Sequence, residues 1–255
     1  MSGKVIVVAF DGMERELVEE FGLENVRQEE FGSIDNSTGI NYRYTSELFA
    51  SFITGETWDE HGVIRLSRND KHRLLNRRGR LAGFLSRYST LWRLVQYLEV
   101  LLIYFLISDR SEWKDYKYSK RDLESGTLFD EIDLSKPLFV PAYNPDPRWQ
   151  LDLPHGVMRP EETTREDVRK YSERLTESRL REFYDLNFDF WDFVMLHIHE
   201  PDAVQDVGLG NHERDYRRLD GIAEEIVEEF SDDWTIIFMS DHGMMKEKEH
   251  NQNAF

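Results

Sequence analysis

The 255-residue sequence has no cysteine. Disulfide scaffolds, thiolate metal sites and cysteine nucleophiles are therefore excluded, and any bound metal must be held by histidine, carboxylate or hydroxyl groups. Long apolar runs are also missing. The best candidate, residues 91–107, is interrupted by Arg93 and Glu99 and falls short of the roughly 18 uncharged apolar residues of a membrane span. The first apolar run, residues 5–9, is too short for a signal peptide and has no cleavage site ahead of it, so the expected location is the cytoplasm. Lysine is scarce, with 9 against 23 arginines, and 50 acidic residues outweigh 32 basic ones for a formal charge of −18. A surface with that charge argues against general polyanion binding, so no nucleic-acid polymer is expected as a partner. High acid with little lysine is the composition expected of a proteome adapted to concentrated salt, as in a halophilic archaeon.

What is present is enough for a core: 40% hydrophobic and 13% aromatic residues rule out a wholly disordered chain. Four apolar runs rich in β-branched or aromatic residues stand out, at 5–10, 138–142, 193–198 and 234–239. Near-continuous hydrophobicity of this kind is the pattern of strands buried on both faces, as in a parallel sheet covered by helices. Helical patterns separate them, at 13–20, 45–53, 86–107, 166–184 and 213–230. The expected fold class is α/β, a doubly wound, mostly parallel sheet sandwiched by helices, in one domain over 1–255 with an inserted segment at about 65–110. The Pro-rich stretch 144–160 reads as a long loop over the sheet edge.

Within the insertion, residues 65–93 carry nine Arg or Lys against one acid, Asp70. The favoured reading is a solvated Arg-rich loop leading into a buried helix. The alternative is an interfacial element, with Trp92, Leu94, Val95 and Leu98 behind the cations, that holds an anionic substrate or touches an anionic membrane surface.

Three of the four strand candidates run directly into acids: Asp11-Gly12, His199-Glu200-Pro201-Asp202 and Ser240-Asp241-His242-Gly243. In a parallel sheet the carboxyl ends of the strands share one edge, where open α/β sheets bind ligands. Each acid alone reads as a turn former or helix cap. Crowded together they would repel unless a cation neutralised them, and with His242 and His250 they suggest a divalent metal, Zn²⁺ or Mn²⁺. A second constellation is Thr45, followed by Thr54-Gly55 and His61-Gly62. A hydroxyl at a helix start is ordinarily a cap, but the same place favours an anion such as phosphate. An adjacent metal could ionise that hydroxyl into a nucleophile.

In order and spacing these motifs resemble the alkaline phosphatase superfamily, and within it the type I phosphodiesterase and nucleotide pyrophosphatase branch. The resemblance runs from Asp11 to His250. Family members carry a metal-binding Asp after the first strand, then a nucleophilic Thr or Ser nine residues before Thr-Gly and sixteen before His-Gly, as Thr45 stands here. An Asp followed four residues on by His is matched by Asp202, with Asp206 in place of the His, and Asp-His-Gly falls on Asp241-His242-Gly243. The resemblance implies one metal on Asp11, Thr45, Asp241 and His242, and a second on Asp202, Asp206 and His250. It also implies a phosphothreonine intermediate on Thr45, with two divalent ions about 4 Å apart clamping the phosphoryl group.

Departures are equally specific. The family's nucleophile is usually followed by Pro and then Asn or Ser, where this chain has Glu47 and Leu48. Sulfatase relatives need an Arg at the position of Phe49, so sulfate esters are not expected as substrates. His61 is expected to be structural. His197 and His199 alternate with Leu196 and Ile198 and read as packing or supporting residues, His199 being the reserve candidate for a ligand. His72, His155 and His212 read as surface residues. The expected function is metal-dependent hydrolysis of a small phosphate ester, foremost a phosphodiester. The alternatives are a phosphomonoesterase or phosphomutase of the same superfamily, or a noncatalytic binding member. Oligomeric state is not legible in the sequence.

Overall fold

The computed structural model describes residues 3–35, 40, 44–63, 118–146, 165–200, 202, 212–244, 250–251 and 253–254. The expected insertion at about 65–110, the helix expected at 86–107 and most of the Pro-rich loop lie outside the described residues.

The sheet is built from β1 (Val5–Phe10), β3 (Ser135–Leu138), β4 (Phe193–Ile198) and β5 (Thr235–Met239), in the order β3-β4-β1-β5. All three pairings are parallel: Val5 aligns with Phe193 on one side and Thr235 on the other, and Ser135 with Phe193. The central strands β1 and β4 are almost entirely buried, as their nearly continuous apolar sequences require. Four two-residue strands form two small antiparallel ladders: β2 (Ile34–Asp35) with β8 (Asn253–Ala254), and β6 (Gly243–Met244) with β7 (His250–Asn251).

Alternation along β1 divides the core into two layers. Ile6, Val8 and Phe10 join Val194, Leu196 and Ile198 of β4 on one face of the sheet. That face is covered by α1 (Arg15–Phe21), α2 (Glu24–Arg27), α6 (Arg165–Tyr184) and α7 (His212–Phe230), through Val18, Val26, Phe183, Leu219 and Ile226. Val7, Ala9 and Met195 face the other way and meet Phe49 and Ile53 of α3 (Thr45–Thr54) and Phe129 of α5 (Leu128–Glu131). The odd-numbered residues of β1 and β4 thus point at α3, the helix that begins with Thr45. The short α4 (Trp58–His61) follows α3 and buries His61, whose Nε2 lies 3.0 Å from Ser51 Oγ while its Nδ1 accepts the Val63 N–H. Both ring nitrogens are engaged within the fold, consistent with a structural histidine.

The third strand differs from its expected position. The apolar run at 138–142 is not a strand; pairing ends at Leu138, and Phe139 and Ala142 both take positive φ of 61°. The cause is Asn144, whose side-chain oxygen accepts the Val140 N–H while its amide donates to the Pro137 carbonyl. Backbone groups that would have extended the ladder are satisfied locally instead. Pro137, which has no N–H, is tolerated because among the described residues β3 pairs on one side only.

At Asp11-Gly12 the chain leaves β1 with Gly12 at φ +75°, and a Cβ there would lie 3.0 Å from Asp202 Cβ. The absent side chain lets the acidic ends of β1 and β4 come together. Gly22 has a similar φ of +62° but open space around it. Gly22→Ala should therefore cost about 1–2 kcal/mol for the left-handed backbone alone. Gly12→Ala should cost distinctly more, since Asp202 must also move; urea unfolding of the two variants checks the difference.

Candidate active site

Three strand ends converge as the sheet topology requires. Asp11 follows β1, and its N–H continues the ladder to the Ile198 carbonyl while its own carbonyl accepts the Asp202 N–H, each at 2.9 Å. Beyond β5, the Ser240 hydroxyl donates to the His242 carbonyl at 2.8 Å and accepts the Met13 N–H at 3.0 Å. This locks the Asp241-His242 turn against the end of β1. Asp241 Oδ1 accepts the Gly12 N–H at 3.3 Å. Three carboxylates, Asp11, Asp202 and Asp241, are thereby buried at one edge of the sheet together with His242.

Thr45 arrives from the other layer. The cap position of α3 is occupied by Tyr44, whose carbonyl accepts the Glu47 and Leu48 N–H groups, and Thr45 is the first helical residue. Its hydroxyl donates to Asp11 Oδ1 at 3.3 Å and lies 3.4 Å from His242 Nε2. The Thr45 side chain does not cap the helix but points into the site. Glu47 and Leu48, the two departures in this helix, are both buried.

The two edges of the Asp11 carboxylate have different neighbours. Oδ1 faces Thr45 and His242 Nε2, the latter at 3.3 Å. Oδ2 faces His197 Nε2 at 3.2 Å and His199 Nδ1 at 2.5 Å. The tautomer of His197 follows from its neighbours. Arg179, which can only donate, lies 3.4 Å from His197 Nδ1, so that nitrogen accepts and Nε2 carries the proton given to Asp11. Arg179 also donates to the His197 carbonyl at 2.9 Å and to Asp146 Oδ2 at 3.0 Å, with Asp146 and Arg179 both buried. Phe49 packs edge-on against the His197 ring at 4.9 Å. His197 is a support for Asp11.

Charge states follow from this packing. Burial pushes the Asp11 carboxyl upward, but the charge of His199 and hydrogen bonds from His197, His199 and His242 outweigh it and hold it well below the usual carboxylate range. Asp241 is pushed up to about 7 by burial and then by the charge of Asp11. Burial lowers His197 to about 4, so it is neutral at physiological pH. Burial acts the same way on His242, but the carboxylates of Asp241, Asp11 and Asp202 overcome it and raise that imidazole to about 10. Two groups are thus biased toward holding protons where several carboxylates meet, the condition that a bound divalent cation relieves.

The donor set fits such an ion. Oxygen or nitrogen atoms of Asp11, Asp202 and His242 lie within 4.8 Å of one another, and so do those of Asp11, His197 and His199. His242 Nδ1 is 3.3 Å from the Gly243 carbonyl, an acceptor that would keep the proton of a neutral ring on Nδ1, so a cation displacing the Nε2 proton would meet the Nε2 lone pair. Of the residues expected from sequence, the structure brings together Asp11, Thr45, Asp202, Asp241 and His242. Asp206 and the side chain of His250 lie outside the described residues. The direct contacts of His197 and His199 with Asp11 were not expected from sequence; their place immediately before the acidic turn after β4 was the only signal.

The fold is the parallel α/β sandwich of the alkaline phosphatase type, with Asp, His and Thr groups clustered at the carboxyl edge of its sheet. The sequence profile of the type I phosphodiesterase / nucleotide pyrophosphatase family matches residues 5–255. The chain belongs to that family. No curated protein is similar enough to count as a match. Among solved structures, murine ectonucleotide pyrophosphatase / phosphodiesterase 5 resembles the chain with a TM-score of 0.54 at 14% identity, over 96% of this chain and 59% of that one. The same figures describe an inactive variant of that enzyme with one threonine-to-alanine substitution, in complex with AMP. The present chain thus spans 59% of the length of the murine protein. Among the described residues no helix is long and apolar enough to cross a membrane.

Removing Arg179 should test the support behind Asp11. Arg179→Met leaves Asp146 buried without its cation and should lower the unfolding free energy by about 3–5 kcal/mol. Adding Asp146→Leu should recover most of that loss. Urea denaturation of the single and double variants checks both.

Proposed function

We propose that the chain is a metal-dependent phosphodiesterase in which Thr45 Oγ1 is the nucleophile. The observation that carries this reading is the place of the Thr45 hydroxyl, at the N-terminus of α3 and within hydrogen-bonding reach of both Asp11 Oδ1 and His242 Nε2. Asp11, Thr45, Asp241 and His242 would hold one divalent ion, and Asp202, with Asp206 and His250, a second. Zn²⁺ and Mn²⁺ both suit such oxygen- and imidazole-rich sets. When bound, the ions supply Lewis-acid neutralisation of the nucleophile and of the phosphoryl oxygens.

The chain's own residues supply the remainder. Asp11 Oδ1, to which the Thr45 hydroxyl donates, is the acceptor nearest the Thr45 proton. As Thr45 Oγ1 attacks, a bond forms to phosphorus, the ester bond to the leaving alcohol breaks, and a phosphothreonine results. Water then attacks phosphorus, releasing the phosphate product and returning Thr45 to its hydroxyl. The first backbone N–H groups of α3 and its dipole favour the anion there. Leu48 stands where relatives carry an Asn or Ser and offers no hydrogen bond to a further phosphate oxygen, which favours diesters over monoesters. Nucleotides and other small phosphate esters fall within this substrate class.

Thr45→Ala should abolish turnover of bis(4-nitrophenyl) phosphate while divalent-metal binding persists through Asp11, Asp241 and His242. Thr45→Ser, which keeps the hydroxyl, should retain part of the rate. Full activity in the alanine variant would remove Thr45 from the nucleophile role.

A further inference from the structure

The two histidines beside Asp11 are not equivalent. Both direct an N–H at Asp11 Oδ2, from His197 Nε2 and from His199 Nδ1. The other nitrogen of His197 faces the Arg179 guanidinium and lies among buried protein groups. His199 faces a different way: its Nε2 lies 3.9 Å from Asp202 Oδ2. A carboxylate only accepts, so the proton of a neutral His199 sits on Nδ1, toward Asp11, and Nε2 carries the lone pair. That lone pair is directed at the carboxylate side of Asp202.

We infer that His199 Nε2 and the Asp202 carboxylate are two donors to the second divalent metal ion. The inference rests on the metal-hydrolase reading above and adds a ligand to it. At 3.9 Å the two atoms are beyond hydrogen-bond distance, and they are within the span of two donors each about 2.0–2.2 Å from one ion. The remainder of the arrangement is that of a metal-binding histidine whose other N–H is held by a carboxylate, fixing tautomer and ring orientation. Asp202 is fixed in turn by its backbone bond to the Asp11 carbonyl and by its close packing over Gly12. The donor chemistry agrees. Where the resemblance expects an imidazole, this sequence has Asp206, and His199 returns an imidazole to the set from three residues before Asp202. Asp11 then serves both metals, one directly through Oδ1 and the other by orienting His199 through Oδ2.

Asparagine separates ligation from support, because its amide N–H can replace Nδ1–H toward Asp11 while nothing replaces Nε2. Zn²⁺ binding to the metal-stripped full chain is measured by isothermal titration for wild type, His199→Asn and His199→Gln, with melting curves recorded in parallel. The expected result is two ions in wild type and one at unchanged affinity in His199→Asn. The other ion should weaken by more than about 100-fold, beyond the 10–100-fold that loss of an outer partner costs. In His199→Gln, whose amide oxygen approximates Nε2, part of that loss should be recovered. Two ions in His199→Asn within about 10-fold of the wild-type affinities would overturn the inference and leave the metal-hydrolase reading standing. A wild-type chain that binds no Zn²⁺ would overturn both.

Discussion

The arrangement of the site depends on one buried carboxylate with two differently occupied edges. Asp11 stands at the end of the central strand, where burial alone would favour its neutral form. Three imidazoles oppose that tendency. Because His197 and His199 take Oδ2, the carboxylate cannot rotate without losing two hydrogen bonds, and Oδ1 is left toward Thr45 and His242. The orientation of a single acid thus determines which oxygen faces Thr45.

The fold provides this orientation from a distance. His197 is held by Arg179 of α6, which is anchored by Asp146 in the loop after β3, so the support reaches through two further elements. On the other layer Phe49 of α3 packs against the same imidazole, and four residues earlier the same helix presents Thr45. Thr45 and Asp11 are therefore both referenced to one histidine. A ring made neutral by burial gives Asp11 a hydrogen bond without adding a charge that would compete with a bound cation.

Much of this was legible in sequence, for physical reasons that can be named. The central strands β1 and β4 declared themselves by nearly continuous apolar runs, and the convergence of the acids after β1, β4 and β5 follows from the rule that parallel strands end at one edge. The end of β3 was hidden because a side chain, Asn144, takes over hydrogen bonds that hydropathy assigns to a ladder. His197 and His199 read as packing or supporting residues, with His199 a reserve ligand, but their direct contact with Asp11 was hidden because alternation in a buried strand looks like packing. What distinguishes them is register: Ala9 pairs with His197 and Phe10 with Ile198, which brings both histidines beside Asp11. Thr45 could be singled out by its spacing to Thr54-Gly55 and His61-Gly62, although a lone hydroxyl at a helix start is ordinarily a cap; here Tyr44 occupies that position.

The most direct test of the account is anomalous diffraction at the zinc edge from crystals of the chain soaked in Zn²⁺. The account predicts an anomalous peak within coordination distance of Asp11 Oδ1, Asp241 and His242 Nε2, beside Thr45 Oγ1, with His197 still donating to Asp11 Oδ2. Zinc confined to surface carboxylates, or bound to Asp11 through Oδ2 with His197 turned away, would contradict it.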